Sequence, residues 1–253
     1  LNWQSKIVTF TTDFGEKDGF VAMMKGVILS YSKDLIFVDI SNSITPFNVE
    51  EAEFILRVSF FWFPKGTIHL GVVDPGVGGK RKGICIFYKG HVFIGPDNGI
   101  FSFALESGAE IYRIREEIFK NISPTFHGRD VFARTAGILI SKGIDEVGEK
   151  IDKAVVLKKR YPIKEENRVK GKIIHIDRFG NLVTNISPSF AKKGYMLFKN
   201  KKIEFRRCYE EGNKEPFFVI NGYGYYEISL RNQSAEKYFN AKIGEEVILM
   251  EVN

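Results

Sequence analysis

The 253-residue sequence predicts a mixed α/β protein, with an N-terminal α/β domain on a largely parallel sheet and a small C-terminal antiparallel β-barrel. Three observations lead there. The first half alternates β-rich runs with segments whose apolar residues recur at helical spacing, the pattern of helices packed on a parallel sheet. The second half holds only short strand-like runs at close spacing, the pattern of a barrel or sandwich. Between them, from Tyr161 to Lys170, Pro162 and the charged stretch Lys164 to Arg168 break the periodicity, so the domains are drawn as residues 1–162 and 168–253.

The elements follow in order. Lys6 to Thr11 is a strand ending in Thr-Asp-Phe-Gly, and Gly19 to Ser30 is a helix. Leu35 to Ile40 is a second strand and Val49 to Phe61 a second helix. Thr67 to Val73 is a buried strand ending in Asp-Pro-Gly. Ile84 to Tyr88 and Val92 to Ile94 flank Lys89-Gly90 as a hairpin, and Arg129 to Lys142 is a helix closed by Gly143. Beyond the break, Gly171 to Ile176, Leu182 to Ile186, Phe217 to Ile220, Tyr225 to Leu230 and Glu246 to Glu251 are strands.

Composition narrows the function classes. With 44% hydrophobic residues and 23 Phe the chain buries a substantial core. The net charge of +6 is a mild excess, and the runs Lys80-Arg81-Lys82 and Lys158-Lys159-Arg160 lack the aromatic interleaving of a single-strand binder, so no nucleic-acid partner is expected. Two cysteines, Cys85 and Cys208, without Cys or His at ligand spacing, imply neither a disulfide framework nor a metal site. No leader-like segment and no run of about 20 apolar residues occurs, which points to a cytoplasmic protein with no membrane partner.

Ligands of parallel α/β sheets gather at the carboxyl ends of the strands. Motifs at Asp13, Asp74 and Asp97-Asn98 each follow a strand and are expected on one edge. Asp74 opens Asp-Pro-Gly-Val-Gly-Gly-Lys-Arg, whose Pro and Gly residues bend the backbone so that Arg81 can return to the carboxylate; an ordinary Asp-Pro-Gly turn fits the same residues. His127 lies between a glycine turn and a helix N-terminus, a placement that suits catalysis or structure, and Asp130 reads as a helix cap or first-turn acid. Asp13 suits a ribose or the cap of the next helix. Its Asp-Phe-Gly is not the kinase triplet, because no glycine-rich loop precedes it and no kinase catalytic loop follows. Asp177-Arg178-Phe179-Gly180-Asn181 joins an aromatic ring to amide groups at a β-turn, which suits stacking on a purine or simply the turn itself.

In this order, Thr12-Asp13-Phe14-Gly15, Asp74-Pro75-Gly76-Val77-Gly78, Pro96-Asp97-Asn98-Gly99, His127-Gly128-Arg129-Asp130, Asp177-Arg178-Phe179-Gly180-Asn181 and Asn221-Gly222-Tyr223-Gly224 span almost the whole chain. The sequence resembles the S-adenosylmethionine hydroxide adenosyltransferases, relatives of the bacterial fluorinase and chlorinase. The resemblance implies a homotrimer with active sites between neighbouring subunits, and hydrolysis of S-adenosyl-L-methionine to adenosine and L-methionine. It marks Asp74, Arg81 and His127 as the catalytic set that serves hydroxide and that the halogenases lack. It further implies Asp13 on the ribose hydroxyls, Phe179 stacked on adenine, Asn181 on the adenine edge, Asp177 on the methionine ammonium, and main-chain groups near Ser234 and Ala235 completing the adenine site. Gly222 and Tyr223 stand where halogenase relatives hold the methionine carboxylate with Ser and Arg.

The chemistry asks for no metal or cofactor, because the sulfonium already leaves as a neutral thioether. The demand is a nucleophile made from water, with His127 or Asp74 as base and Arg81 orienting it. The alternatives are a halogenase, a non-catalytic S-adenosylmethionine-binding protein, and a nucleic-acid-binding protein with an OB-like barrel.

Overall fold

The computed structural model describes residues 6–158, 162–190 and 194–252, and divides into two compact units, Leu1–Leu157 and Lys158–Asn253. Lys159, Arg160 and Tyr161, which belong to a basic run and to the composition break read from the sequence, lie outside the described residues.

The first unit carries β1 (Ile7–Thr12), α1 (Phe20–Leu29), β2 (Ile36–Ser41), α2 (Val49–Ser59), β3 (Ile68–Val72), β4 (Gly83–Tyr88), β5 (His91–Pro96), β6 (Glu110–Ile114), α3 (Arg134–Lys142) and β7 (Gly148–Ile151). Its sheet runs β2-β1-β3-β5-β4-β6-β7. β2, β1, β3 and β5 are mutually parallel, whereas the β4–β5, β4–β6 and β6–β7 pairings are antiparallel. The expected Lys89-Gly90 hairpin joins β4 to β5, with φ of 48° and 83°, the left-handed pair that matches strand twist.

Period-two alternation sends the two faces of this sheet into separate cores. Val8, Phe10, Ile68, Leu70, Val92 and Ile94 pack with Met24 and Ile28 of α1 and with Ala136 and Leu139 of α3. Ile84, Ile86 and Phe93 face the other way, onto Leu56 of α2, Phe60 and Phe101. α2 starts where Asn48 accepts the Glu51 amide at 3.1 Å, while the Glu51 carboxylate takes the Thr45 amide at 3.1 Å.

Within the second core His69 and His91 form a buried chain. His69 Nδ1 meets Thr9 Oγ1 at 2.7 Å and His69 Nε2 meets His91 Nδ1 at 3.2 Å, with the His69 ring stacked on Phe93. Burial, then the charge of His91, holds His69 down to about 3; burial, then Lys65, lowers His91. Between pH of about 6.5 and about 3 the unfolded chain therefore binds a proton at this position that the folded chain does not. Stability is unaffected by His69 above that window and falls as pH decreases through it, by up to about 1.4 kcal/mol per pH unit. Denaturant midpoints from pH 7.5 to 4.5 should fall steeply in the wild type and less so in His69→Gln. Equal slopes would remove the pair from the acid response.

The second unit carries β8 (Ile163–Glu165), β9 (Arg168–Ile176), β10 (Leu182–Thr184), β11 (Gly194–Phe198), β12 (Lys201–Phe205), β13 (Phe217–Ile220), β14 (Tyr226–Ser229), α4 (Ala235–Phe239) and β15 (Glu246–Glu251). β10-β14-β13-β12-β11-β15-β9 close into a seven-strand barrel through a β9–β10 pairing, around Val169, Ile173, Met196, Phe218, Ile228 and Val247. Two details differ from the sequence reading. β12 and β13 pair in parallel, because the 206–216 connection returns the chain along its own direction instead of folding it back as a hairpin. The charged stretch Lys164 to Arg168, which interrupts the periodicity, lies in the β8–β9 hairpin, in which the Glu165 carboxylate meets Arg168 and Lys170. No helix among the described residues is long and apolar enough to cross a membrane.

Candidate active site

Strand register brings three motifs to one edge. Thr12 pairs with Val72, and Leu70 with Ile94, so β1, β3 and β5 end together, and Asp13, Asp74 and Asp97 follow at that edge. Asn98 ties the level together by donating from Nδ2 to the Val73 carbonyl at 2.8 Å. The Asp97 carboxylate accepts the Val155 amide at 2.7 Å, and burial raises its pKa against that bond. Both motif residues thus act on the backbone.

Arg81 does return to Asp74. Its Nε lies 3.0 Å from each carboxylate oxygen and its Nη2 2.5 Å from Oδ2, a two-pronged clamp. The guanidinium also lies over the Phe132 ring at 5.2 Å, and Nη2 stands 2.9 Å from His127 Nδ1. All three side chains of the set are at most 10% exposed. Arginine has no acceptor, so Nη2 must donate to this contact and Nδ1 must accept. A neutral His127 then carries its proton on Nε2. Burial, then Arg81, lowers the His127 pKa, opposed by Glu116, Asp74 and Asp130.

The loops that carry these residues lock together. Gly78 sits at φ +73°, and a Cβ there would stand 2.2 Å from the Pro124 carbonyl oxygen, so the Asp74 loop and the loop before His127 approach as closely as only glycine permits. The helix expected from Arg129 begins instead as a π-helix, Gly128–Ala133, before α3; such wide turns concentrate at functional sites. Asp130 lies in its first turn but does not cap it. Its carboxylate is clasped by Arg129 and accepts the Ser123 amide at 2.8 Å, which braces the His127 loop from behind.

Asp13 does not cap α1, whose N-cap is Gly19. Its Oδ2 accepts the amide of Phe47, a residue at φ +68° whose ring is 71% exposed. Nothing in the spacing of the sequence links Asp13 to Phe47. The same holds for Glu116, in a short 3-10 turn (Glu116–Ile118), whose carboxylate faces Arg81 and His127.

In the barrel, Asp177 organises its own turn: Oδ1 accepts the amides of Phe179 and Asn181 at 2.9 Å, and Oδ2 accepts Asn181 Nδ2 at 2.9 Å. Phe179 is left 76% exposed at the tip while Asn181 is buried. Gly180, at φ +82°, presses against Ser234, the N-cap of α4, next to the buried Ala235. Asn221 accepts the Tyr223 and Tyr225 amides on Oδ1 and donates to the buried Glu227, which also takes Tyr209 and Ser229 hydroxyls. Burial, then the Glu227 bond, raises the Tyr209 pKa, with smaller effects from Asp177 and Tyr223, so these motifs neighbour one another within the barrel. Tyr223 itself is 45% exposed.

The sequence model of the SAM hydroxide adenosyltransferase N-terminal domain matches residues 8–148, and that of the C-terminal domain matches residues 171–248. The chain belongs to the SAM hydroxide adenosyltransferase family. A relative from Methanocaldococcus jannaschii named (R)-S-adenosyl-L-methionine hydrolase is 38% identical, with 95% of this chain and 94% of the relative aligned. A Thermus thermophilus protein of the same name is 28% identical over 96% of this chain and 99% of the relative. A fluorinase from Actinopolyspora mzabensis is 24% identical over 97% of both. Among solved structures, an uncharacterized conserved protein from Thermotoga maritima superposes with a TM-score of 0.89 at 31% identity, covering 96% of this adenosyltransferase chain and 100% of its own. Among the described residues of this family member, no group of three or more His, Cys, Asp or Glu is placed to hold a metal ion.

Proposed function

We infer that this protein hydrolyses S-adenosyl-L-methionine to adenosine and L-methionine, by substitution at C5′ with water-derived hydroxide. Membership of the family and the name of its aligned hydrolase relatives support the reaction, and that name makes the R epimer at sulfur the expected form. The observation that carries the mechanism is the buried contact of Asp74, Arg81 and His127 beyond the parallel strands.

In the reaction the water oxygen forms a bond to C5′ as the C5′–S bond breaks. The electron pair stays on sulfur, methionine departs as a neutral thioether, and one proton is released per turnover. Charge is neutralised along this path, so a dry cleft favours it. No resident cofactor is required.

We assign the proton to Asp74. With Nδ1 accepting from Arg81, the Nε2–H of His127 donates to the water oxygen and holds it; it does not take the proton. Asp74 Oδ1 accepts from Arg81 Nε alone, whereas Oδ2 accepts from Nε and Nη2, so Oδ1 keeps the capacity to receive the water proton.

Asp13 takes the ribose hydroxyls, Phe179 stacks on adenine, and Asn181 meets its edge beside main-chain groups of Ser234 and Ala235. Asp177 and Tyr223 hold the methionine end. Residues 1–162 and 168–253 act as the two functional domains, and the protein assembles as a cytoplasmic homotrimer with active sites between neighbouring subunits and no nucleic-acid or membrane partner.

Incubation with S-adenosylmethionine in halide-free buffer should yield adenosine and methionine in equal amounts, unchanged by added fluoride or chloride. A 5′-halo nucleoside as the main product would make the protein a halogenase.

A further inference from the structure

Arg81 is surrounded on more sides than the three-residue set accounts for. Nε and Nη2 are committed to Asp74 and His127, but Nη1 is buried and makes no hydrogen bond. A guanidinium N–H left so is costly unless a charge faces it. The Glu116 carboxylate does: Oε1 stands 3.6 Å from Nη1, and Oε2 stands 3.8 Å from His127 Nδ1. Glu116 is itself anchored, since Oε1 accepts the Gly83 amide at 2.9 Å, at the start of β4 and two residues beyond Arg81.

We propose that Glu116 is a positioning residue of the hydrolytic set, fixing the guanidinium plane of Arg81 so that Nη2 meets His127 Nδ1 and balancing the charge Arg81 places beside that ring. Its role in turnover rests on the proposed hydrolase reading; its effect on His127 does not.

The geometry explains why one carboxylate is insufficient. Asp74 grips the Nε–Nη2 edge of the guanidinium and the Phe132 ring lies against the group, but neither reaches the far corner at Nη1. Glu116 supplies the second support, from the turn after β6. The charged groups acting on His127 are Arg81 and Asp74 from the loop after β3, Glu116 from this turn, and Asp130 from its own π-helix. Arg81 and burial favour the neutral ring, while the three carboxylates favour the protonated one. Removing the charge of Glu116 therefore lets His127 stay neutral to lower pH. Because a neutral ring is the form that accepts from Arg81, the acid limb of activity moves the same way.

Glu116→Gln tests this, since the amide oxygen can still accept from Gly83. The four histidine rings are followed by NMR against pH, with His127 identified by its loss in His127→Gln. We expect the His127 midpoint to fall by about 0.5 to 1 pH unit, the scale of one partly screened carboxylate nearby. We also expect kcat to drop about tenfold with KM changed less than twofold, and the acid limb of kcat to move down with the midpoint. Glu116→Asp keeps the charge on a shorter arm and should restore the midpoint more than it restores kcat.

An unmoved His127 midpoint in Glu116→Gln would overturn the proposal, whether or not activity fell, because a merely structural glutamate lowers activity without moving that titration. Should Glu116→Gln fail to fold, Glu116→Asp decides: the proposal then requires a wild-type midpoint with reduced kcat, and wild-type kcat overturns it. If the wild-type protein itself leaves S-adenosylmethionine intact, the hydrolase reading fails while the NMR titration still decides the contact.

Discussion

Asp74→Asn should lower kcat by about a hundredfold or more, the usual scale for losing acid–base assistance, with little change in KM. The substitution keeps the shape of the side chain and removes the charge that receives the proton. Its effect should therefore appear in turnover and spare binding, which the proposed contacts place on Asp13 and the barrel. His127→Ala should cost a similar factor, because water then loses the Nε2–H that holds it. Residues acting as a unit are strongly non-additive, so the double variant should be little worse than Asp74→Asn alone. Steady-state kinetics at saturating and limiting substrate separate these outcomes. Near-full turnover in His127→Ala would withdraw the three-residue set; a large rise in KM with unchanged kcat in Asp74→Asn would make Asp74 a binding group.

The second large effect concerns assembly. Asp74→Ala and Asn181→Ala, each nearly inactive at limiting substrate, should regain activity when unfolded and refolded together. In a cyclic trimer with sites between neighbours, each mixed assembly has one site whose Asp74-bearing part comes from the Asn181→Ala chain and whose Asn181-bearing part comes from the Asp74→Ala chain. Random mixing makes about three quarters of trimers mixed, with one sound site in three, so about a quarter of wild-type activity should return. Mixed trimers confirmed by mass, with activity no greater than the sum of the two variants, would place each site within one chain.

Much of the N-terminal layer was legible because its central strands are buried and read as apolar runs closed by turn residues, as at Ile68–Val72 before Asp74-Pro75-Gly76. Most of the strands that the sequence does not announce mix charge with apolar residues; Gly194–Phe198, which has none, is a run of only 5 residues. Gly148–Ile151 is the edge strand of its sheet and Glu110–Ile114 lies next to it, and Lys201–Phe205 alternates exposed charges with the buried Ile203. The Asp74 to Arg81 contact was legible from a glycine-bent loop that sets the two residues seven positions apart. Glu116 was not, because it arrives by tertiary packing after an unread strand, and the tie from Asp13 to Phe47 runs through a backbone amide that no side-chain pattern encodes. Asp130, which reads as a helix cap or first-turn acid, is the first-turn acid, with its carboxylate held by Arg129 and the Ser123 amide.

The central claim is that water attacks C5′. Turnover of S-adenosylmethionine in oxygen-18 water, without halide, should put one heavy oxygen on the 5′ position of adenosine and none in methionine, read by mass spectrometry of both products. Heavy oxygen in methionine, or adenosine formed without label, would contradict it.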